Sequence, residues 1–169
     1  MIVVLMGVSG SGKTTIGTRL AEQIAAGFAD ADDYHPLANK QKMAAGNPLN
    51  DEDRQPWLET LNELMKGWYK DGKGGVLACS ALKAKYRDTL ASGMPHGAVT
   101  FVHLDGSKDM IAERLAARSH EYMNPKLLES QLATLEPPTD AFTIVNDRTP
   151  DEIVADILAH VAGIRTSLK

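Results

Sequence analysis

Short apolar runs alternate along this chain with longer stretches in which apolar residues recur at helical spacing. Four runs are nearly continuous and rich in β-branched residues, as buried parallel strands are: "IVVLM" (2–6), "GVLAC" (75–79), "VTFVHL" (99–104) and "FTIVN" (142–146). "GFAD" (27–30) is a weaker fifth candidate. The pattern predicts helices over roughly 13–26, 37–45, 52–71, 82–92, 108–118, 124–134 and 150–165. Strands alternating with helices predict an α/β fold that binds ligands at the carboxyl ends of its strands.

Composition and charge narrow the class of protein. With 169 residues, 43% of them hydrophobic and 24% charged, the chain is expected to form one domain, 1–169. A net charge of −4 argues against nucleic acid and anionic membranes as partners. The single cysteine, Cys79, excludes an intramolecular disulfide, and no apolar run approaches the roughly 20 residues of a membrane span. We therefore expect a cytoplasmic enzyme.

The clearest motif is "GVSGSGKT", Gly7 to Thr14, which fits G-x-x-x-x-G-K-[ST] between a predicted strand and a predicted helix. Glycines let successive backbone N–H groups point at one phosphate. Lys13 would reach the β- and γ-phosphates, and Thr14 would ligate Mg²⁺. This segment, called the phosphate loop below, predicts nucleotide binding.

Switches, motors and small-molecule kinases share such a loop. A GTPase switch should carry N-K-x-D, but "NKQK" (39–42) lacks the aspartate and comes too early. Motor ATPases usually exceed this length and carry a strand ending in aspartate, whereas "GVLACS" (75–80) ends in cysteine and serine. A small kinase fits best, with its metal-side acid supplied from elsewhere.

The stretch "DADDYHP" (30–36) is the candidate source of that acid. A kinase needs one carboxylate near the metal and another to accept the proton of the attacking hydroxyl. If residues 28–32 are extended, Asp30 and Asp32 point to the same side and Asp33 does not. We therefore predict that Asp30 and Asp32 are functional and that Asp33 faces solvent, the alternative being a solvated turn.

Polar residues downstream are candidates for binding the substrate. His35 could donate to a substrate oxygen or be structural, and Arg54 suits bidentate recognition of a carboxylate or forms a surface ion pair. Trp57 is expected in the core. After the third strand, with Ser80 as a plausible helix cap, Lys83 and Arg87 are spaced to share a helix face and suggest an anionic substrate.

Two further arginines, Arg114 and Arg118, have the same spacing just before the polar segment "SHEYMNP" (119–125). Arginines at the edge of a mobile segment can close over transferring phosphates, although a solvated helix face is the simpler alternative.

Together these residues resemble the gluconate kinase family, of the thermoresistant type, among the P-loop kinases related to shikimate and nucleotide kinases. The resemblance covers nearly the whole chain through "GVSGSGKTT", "DADDYHPLANKQKMAAGNPLNDEDRQPWL", "CSALKAKYRD" and "LLESQLATLEPP", in this order. The block from 35 to 58 is the most discriminating of them.

The resemblance implies ATP-dependent phosphorylation of D-gluconate at its 6-hydroxyl. It implies a three-layer P-loop kinase fold with a five-stranded parallel sheet flanked by helices, a mobile lid at about 119–131, a substrate-binding segment at about 30–58, and a homodimer. A kinase of another hydroxy acid, or a regulatory ATPase, remains the alternative.

Residue roles carry over from the family by position. ATP and Mg²⁺ would be bound by Gly7, Ser9, Gly10, Ser11, Gly12, Lys13, Thr14 and Thr15. Asp32 would lie at the attacking hydroxyl, Asp30 nearer the metal, Arg114 beside the adenine and Arg118 beside the phosphates. The substrate pocket would include His35, Arg54, Lys83 and Arg87. The chain departs from the family at Ala31, where glycine is usual, and at 120–122, where His-Glu-Tyr replaces Gly-His-Phe.

Overall fold

The computed structural model describes residues 1–117 and 125–167 and contains all five predicted strands and all seven predicted helices. The strands are β1 (Ile2–Met6), β2 (Gly27–Asp30), β3 (Gly75–Ala78), β4 (Val99–Asp105) and β5 (Phe142–Val145). The helices are α1 (Lys13–Gln23), α2 (Leu37–Ala44), α3 (Asp51–Asp71), α4 (Ala84–Ala91), α5 (Lys108–Ala117), α6 (Pro125–Thr134) and α7 (Pro150–Ser167). A single 3₁₀ turn, Ala31–Tyr34, follows β2.

The strands form one parallel sheet in the order β2-β3-β1-β4-β5. Asp30 pairs with Ala78, and Ala78 pairs with Leu5, so the carboxyl ends of β2, β3 and β1 meet at one edge. The end of β3 also receives the start of the phosphate loop, because Gly7 N–H donates to Ser80 O at 3.2 Å. The sheet therefore brings the acidic stretch beside the phosphate loop.

Side chains alternate between the two faces of β1, which divides the core in two. Val4 and Met6 pack with residues of α3 and α4, such as Leu61 and Leu90. Val3 and Leu5 pack on the other face with residues of α1 and α7. Helices thus cover both faces of a five-stranded sheet, which confirms the predicted three-layer α/β fold.

Local signals explain where the longer helices begin. Asn50 Oδ1 accepts from Asp53 N–H at 2.8 Å, and Asp53 Oδ2 accepts from Asn50 N–H at 3.0 Å, so a capping box starts α3. Thr149 Oγ1 accepts from Glu152 N–H at 3.3 Å ahead of α7. Both helices then bury apolar side chains against the sheet.

Three local predictions were wrong. Helix α1 ends at Gln23 rather than residue 26, because Ala25 takes a left-handed φ of 53°. Ser80 does not cap α4, because Ala81 has a φ of 46° and the helix begins only at Ala84. Residues 31–34 form a 3₁₀ turn instead of continuing the extended strand.

The lid expected at about 119–131 lies only partly within the described residues, which include α6 but not 118–124. Among the helices described, none combines the length and apolar character needed to cross a membrane.

Candidate active site

The phosphate loop connects β1 to α1 and has the backbone that its glycines predict. Gly12 has a φ of 98°, and a Cβ there would come within 2.4 Å of Asn146 Nδ2, so only glycine fits. The side-chain amide of Asn146 donates to Ser11 O at 2.8 Å. Gly7, Ser9 and Gly10 complete the turn, and Thr15 is exposed on the first turn of α1. The turn leads directly into the N-terminus of α1, whose backbone N–H groups and helix dipole are suited to an anion.

Lys13 and Thr14 lie where the motif predicts. Lys13 Nζ donates to Gly7 O at 2.9 Å and to Val8 O at 3.0 Å, which places its charge across the loop. Thr14 Oγ1 donates to Asp30 Oδ2 at 3.3 Å. A hydroxyl and a carboxylate oxygen are the hard ligands that Mg²⁺ accepts alongside water and phosphate, so the two residues fit such an ion.

The turn after β2 separates Asp30 from Asp32. Asp30 Oδ1 accepts from Asp32 N–H at 3.0 Å, so Asp30 caps the turn while its other oxygen bonds Thr14. Asp32 lines a cavity beside the loop, and Asp33 is exposed and not part of that lining. Asp32 is exposed as well, so exposure does not separate these two acids, and the roles given to the three aspartates stay predictions. The premise of an extended strand was wrong, because residues 31–34 form the 3₁₀ turn.

The cavity has a volume of about 640 Å³, and two of its lining residues bond the phosphate loop: Ser80 O accepts from Gly7 N–H and Gln131 Oε1 accepts from Ser9 N–H. Its described lining combines residues from the 3₁₀ turn, the α2–α3 loop, α3, the β3–α4 loop, α4 and α6. They are Asp32, His35, Met43, Gly46, Asn47, Pro48, Leu49, Arg54, Trp57, Ser80, Ala81, Leu82, Lys83, Tyr86, Ser130, Gln131 and Thr134. Such a mixture of charged, polar and apolar walls suits a small polar anion.

Positive charge is concentrated on one side of the cavity, at Arg54 and Lys83. Arg54 Nη1 lies 3.3 Å from Tyr86 Oη, and both cations lie 5.6 Å from the centre of the Tyr86 ring. Asp51 anchors this group: its Oδ1 lies 3.4 Å from Lys83 Nζ and 4.0 Å from Arg54 Nη1. Hydrogen bonds from Lys85, Tyr86 and Lys83 hold the pKa of Asp51 well below its usual range, so its negative charge persists.

His35 lies on the wall formed by α3. Its ring stacks on Trp57 with centroids 4.3 Å apart and an interplanar angle of 14°. Burial, then the charges of Arg54 and Lys40, lower the pKa of His35, so the ring is neutral near neutral pH. Trp57 is 6% exposed and belongs to the core, as expected, although its ring also forms part of the cavity.

The structure does not bring all predicted cations to the cavity. Lys83 occupies the N-cap position of α4, without a capping hydrogen bond from its side chain, and its Nζ faces Asp51. The Arg87 guanidinium donates to Ala81 O at 2.7 Å and to Glu136 O at 2.9 Å. Arg87 therefore connects α4 to the β3–α4 loop and to the segment after α6, and it is not among the lining residues. The expectation that Lys83 and Arg87 share one ligand-facing helix surface was wrong, because Lys83 precedes the helix.

Arg114 lies on α5 and its Nη2 donates to Asn146 O at the end of β5. Among the described residues, Nη1 of Arg114 is buried without a hydrogen-bond partner. Its predicted place beside the adenine stays a prediction. Arg118, predicted beside the phosphates, and the atypical residues 120–122 lie outside the described residues.

Sequence reasoning missed Asp51, Tyr86 and Gln131. Gln131 Oε1 accepts from Ser9 N–H at 2.8 Å, and its Nε2 donates to Ser9 Oγ at 3.2 Å, so α6 contacts the phosphate loop directly. Asp51 precedes Arg54 by three residues, and this spacing could have indicated that Asp51 is the counter-ion of Arg54. No local pattern marks Gln131, because its contact joins residues 122 positions apart.

Comparisons with known proteins give consistent results. Residues 2–138 match the family described as AAA domain. The chain is 49% identical over 135 residues to the thermosensitive gluconokinase of Escherichia coli strain K12, covering 80% of this chain and 71% of that protein. It is 41% identical over 161 residues to the thermoresistant gluconokinase of the same strain, covering 93% and 91%. A solved gluconokinase structure from Sinorhizobium meliloti 1021 gives a TM-score of 0.88 at 39% identity, covering 99% and 94% of the two chains.

A phosphate loop at the edge of a parallel sheet, with a substrate-sized cavity beside it, defines the class of P-loop small-molecule kinases. Within that class, the chain belongs to the gluconokinase family, which confirms the family that its motifs predicted. The protein is thus an enzyme, a kinase.

Proposed function

We propose that the protein transfers the γ-phosphoryl group of ATP to the 6-hydroxyl of D-gluconate. The observation that carries the proposal is the cavity beside the phosphate loop, with Asp32 in its lining and with Arg54 and Lys83 on its cationic side. A hydroxy acid needs both features, a carboxylate near the reacting hydroxyl and cations for its acid group.

ATP would bind with its phosphates over the phosphate loop. Backbone N–H groups of the loop and the α1 N-terminus would hold the phosphate oxygens. The Lys13 ammonium, which donates to Gly7 O and Val8 O in the structure, would donate to the phosphate oxygens instead. The lining residue Gln131, which bonds Ser9, marks where the loop meets the cavity. The γ-phosphoryl group would therefore face the substrate.

Thr14 and Asp30 would hold Mg²⁺, directly or through water. When bound, the ion supplies countercharge that lets phosphates and carboxylates share the site. Because the Asp30 carboxylate already bonds Thr14 and the backbone of the turn, it is oriented before ligands arrive.

In the transfer step, the substrate hydroxyl oxygen attacks the γ-phosphorus and the bond from phosphorus to the bridging oxygen of ADP breaks. Asp32 accepts the hydroxyl proton as the new phosphate ester forms. Arg54 and Lys83, which line the same cavity, would hold the substrate carboxylate and so direct the terminal hydroxyl toward Asp32.

The competing function is a kinase of another hydroxy acid. Purified protein with ATP and Mg²⁺ should be assayed against gluconate, stereoisomeric sugar acids, shikimate and nucleoside monophosphates, with kcat/KM measured for each. We expect gluconate to give the highest value. A higher kcat/KM for any other acceptor would contradict the proposal, and gluconate-independent ATP hydrolysis alone would favour the regulatory alternative.

The homodimer and the cytoplasmic location belong to the same proposal. Both come from family resemblance and composition, and sedimentation equilibrium on the full chain tests the first. A monomer across the concentration range would contradict the expected dimer without affecting the chemistry.

A further inference from the structure

Asn39, on α2, lies directly behind His35 and is 4% exposed. Its side-chain amide donates to the backbone oxygen of Asp53 at 2.8 Å. The same nitrogen lies 3.3 Å from His35 Nδ1. An amide nitrogen carries two hydrogens, so one Nδ2 can serve both partners.

The contact with Asp53 sets the orientation of this amide. In the reversed orientation, Asn39 Oδ1 would face the Asp53 carbonyl oxygen, and two acceptors would meet in a buried site. Nδ2 is therefore the atom that faces His35. Because Nδ2 can only donate, His35 Nδ1 must accept, and the single proton of the neutral imidazole belongs on Nε2.

Packing fixes the His35 ring in this orientation. The ring stacks on Trp57, and the Trp57 indole N–H donates to Ala31 O at 2.7 Å. Trp57 therefore cannot rotate without losing a buried hydrogen bond. With one face on Trp57 and Nδ1 on Asn39, His35 has a defined plane and a defined tautomer.

The charges around His35 favour the same state. Burial and the positive charges of Arg54 and Lys40 disfavour a second proton on the ring. The carboxylate of Asp53, whose backbone oxygen accepts from Asn39, is held by Lys42 Nζ at 2.6 Å and by the N–H of Asn50 at the α3 cap. His35 is thus neutral in a cavity whose cations already supply positive charge.

We propose that Asn39 is a positioning residue that fixes His35 as the neutral tautomer protonated on Nε2, and that His35 thereby acts as a hydrogen-bond donor to a hydroxyl or carboxylate oxygen of the substrate. This proposal rests on the proposed function of the cavity, which His35 lines. His35 is then neither the proton acceptor nor a cation for the substrate carboxylate, which leaves these roles to Asp32 and to Arg54 with Lys83.

The direct test is NMR of the full-length protein with ¹⁵N-labelled histidine near neutral pH. Long-range ¹H–¹⁵N correlations report which imidazole nitrogen carries the proton, and a His35→Gln variant assigns the signals. We expect unprotonated Nδ1 and protonated Nε2. Protonated Nδ1, or an imidazolium with both nitrogens protonated, would overturn the proposal whether or not gluconate is the substrate.

The functional test uses Asn39→Asp, which places a carboxylate behind His35 and draws a proton onto Nδ1. We expect the KM for gluconate to rise about tenfold, because the loss of roughly one hydrogen bond has about this effect on affinity. The KM for ATP should stay unchanged. Glutamine at position 35 keeps an N–H donor but has no tautomers. When Asn39→Asp is added to His35→Gln, the gluconate KM should therefore rise little further. An unchanged gluconate KM in Asn39→Asp would contradict the positioning role.

Asn62→Asp is the matched control for lost stability. Asn62 lies on α3 and, like Asn39, is a buried amide. Its side chain donates to Leu90 O at 2.7 Å and to Ser92 O at 2.9 Å, away from the cavity. This variant should lower the melting temperature without moving the His35 signals or the gluconate KM. If it raised the gluconate KM as much as Asn39→Asp does, the effect would come from stability and the positioning role would be wrong.

Discussion

Asp30 and Asp32 are two residues apart, and the turn between them gives their carboxylates different neighbours. Asp30 bonds the Thr14 hydroxyl and the backbone N–H of Asp32, whereas Asp32 lines the cavity. We therefore expect Asp30 to act beside the phosphate loop and Asp32 to act on the substrate. Asp33, one residue further, is exposed and outside the lining.

Asp32→Asn should therefore lower turnover without weakening ATP binding. The amide cannot accept the hydroxyl proton, and loss of a general base costs about 100-fold in rate. We expect kcat to fall about 100-fold while the Kd for ATP, measured by calorimetry, changes less than about twofold. Asp33→Asn is the control and should keep its kcat. Near-normal kcat in Asp32→Asn would remove Asp32 from the base role.

Arg54→Lys tests the substrate carboxylate contact. Lysine keeps the charge but loses the planar guanidinium that binds a carboxylate in two places, so the gluconate KM should rise about tenfold and the ATP KM little. Arg19→Lys, which alters an exposed pair with Asp151 at 2.8 Å, is the control. If steady-state kinetics gave the same gluconate KM for Arg54→Lys and the native enzyme, Arg54 would be only a partner of Asp51 and Tyr86.

At the scale of elements, the site is assembled from segments that meet through few contacts. Helix α6 contacts the phosphate loop through Gln131 and Ser9, and the segment just after α6 contacts the β3–α4 loop, where Glu136 N–H donates to Leu82 O at 2.7 Å. Both contacts lie at the carboxyl edge of the sheet. The position of α6 thus affects the loop and the cavity together.

Gln131→Ala should weaken ATP use, because Ser9 loses the acceptor that fixes its N–H in the loop. We expect the ATP KM to rise about fivefold, the value of roughly one hydrogen bond. Gln55→Ala is the matched control, since Gln55 bonds only Glu59 on the exposed side of α3 among the contacts described, at 3.1 Å. An ATP KM that stays at the native value in Gln131→Ala would show that this contact does not shape the loop.

The strands and most helices were predictable because each has a local cause. Buried β-branched runs marked the strands, Pro150 followed Thr149 at the start of α7, and the glycines marked the phosphate loop. Ala81 was not predictable, because a left-handed φ is unusual for a residue with a Cβ. The turn at 31–34 has no glycine or proline to mark it, and it forms because the Asp30 side chain accepts the Asp32 N–H.

The candidate site was predictable where residue type alone defines chemistry, as for Lys13, Thr14 and the aspartates. It was not predictable where tertiary packing decides, as in the group around Asp51, whose partner Lys83 comes 32 residues later. For Arg87 the sequence predicted a ligand contact that the structure does not contain. Its spacing from Lys83 suggested a shared helix face, but its guanidinium donates to the backbone oxygens of Ala81 and Glu136.

At the scale of the whole molecule, two partly or fully buried histidines link stability to pH. Burial is the first cause that lowers the pKa of both His35 and His103 below the ordinary value of 6.5. The unfolded chain therefore binds more protons than the native protein as the pH falls through 6.5. The stabilisation is fully present above this pH and is lost progressively below it.

The free energy of unfolding should accordingly decrease between about pH 7.5 and about pH 5.5, as measured by urea denaturation. His103→Gln should reduce this pH dependence, because it removes one of the two groups. His96→Gln, at an exposed position, should leave it as in the native protein. A native free energy of unfolding that is flat or rises over this interval on acidification would contradict the linkage.

We expect the cavity to present the terminal hydroxyl of gluconate to the γ-phosphate while Arg54 and Lys83 hold the gluconate carboxylate. The most direct measurement is NMR of the product formed from ATP and uniformly ¹³C-labelled gluconate, read through ¹³C–³¹P coupling. We predict a phosphate ester on carbon 6 with ADP in equal amount. An ester on another carbon, or inorganic phosphate as the only phosphorus product besides ADP, would contradict the account.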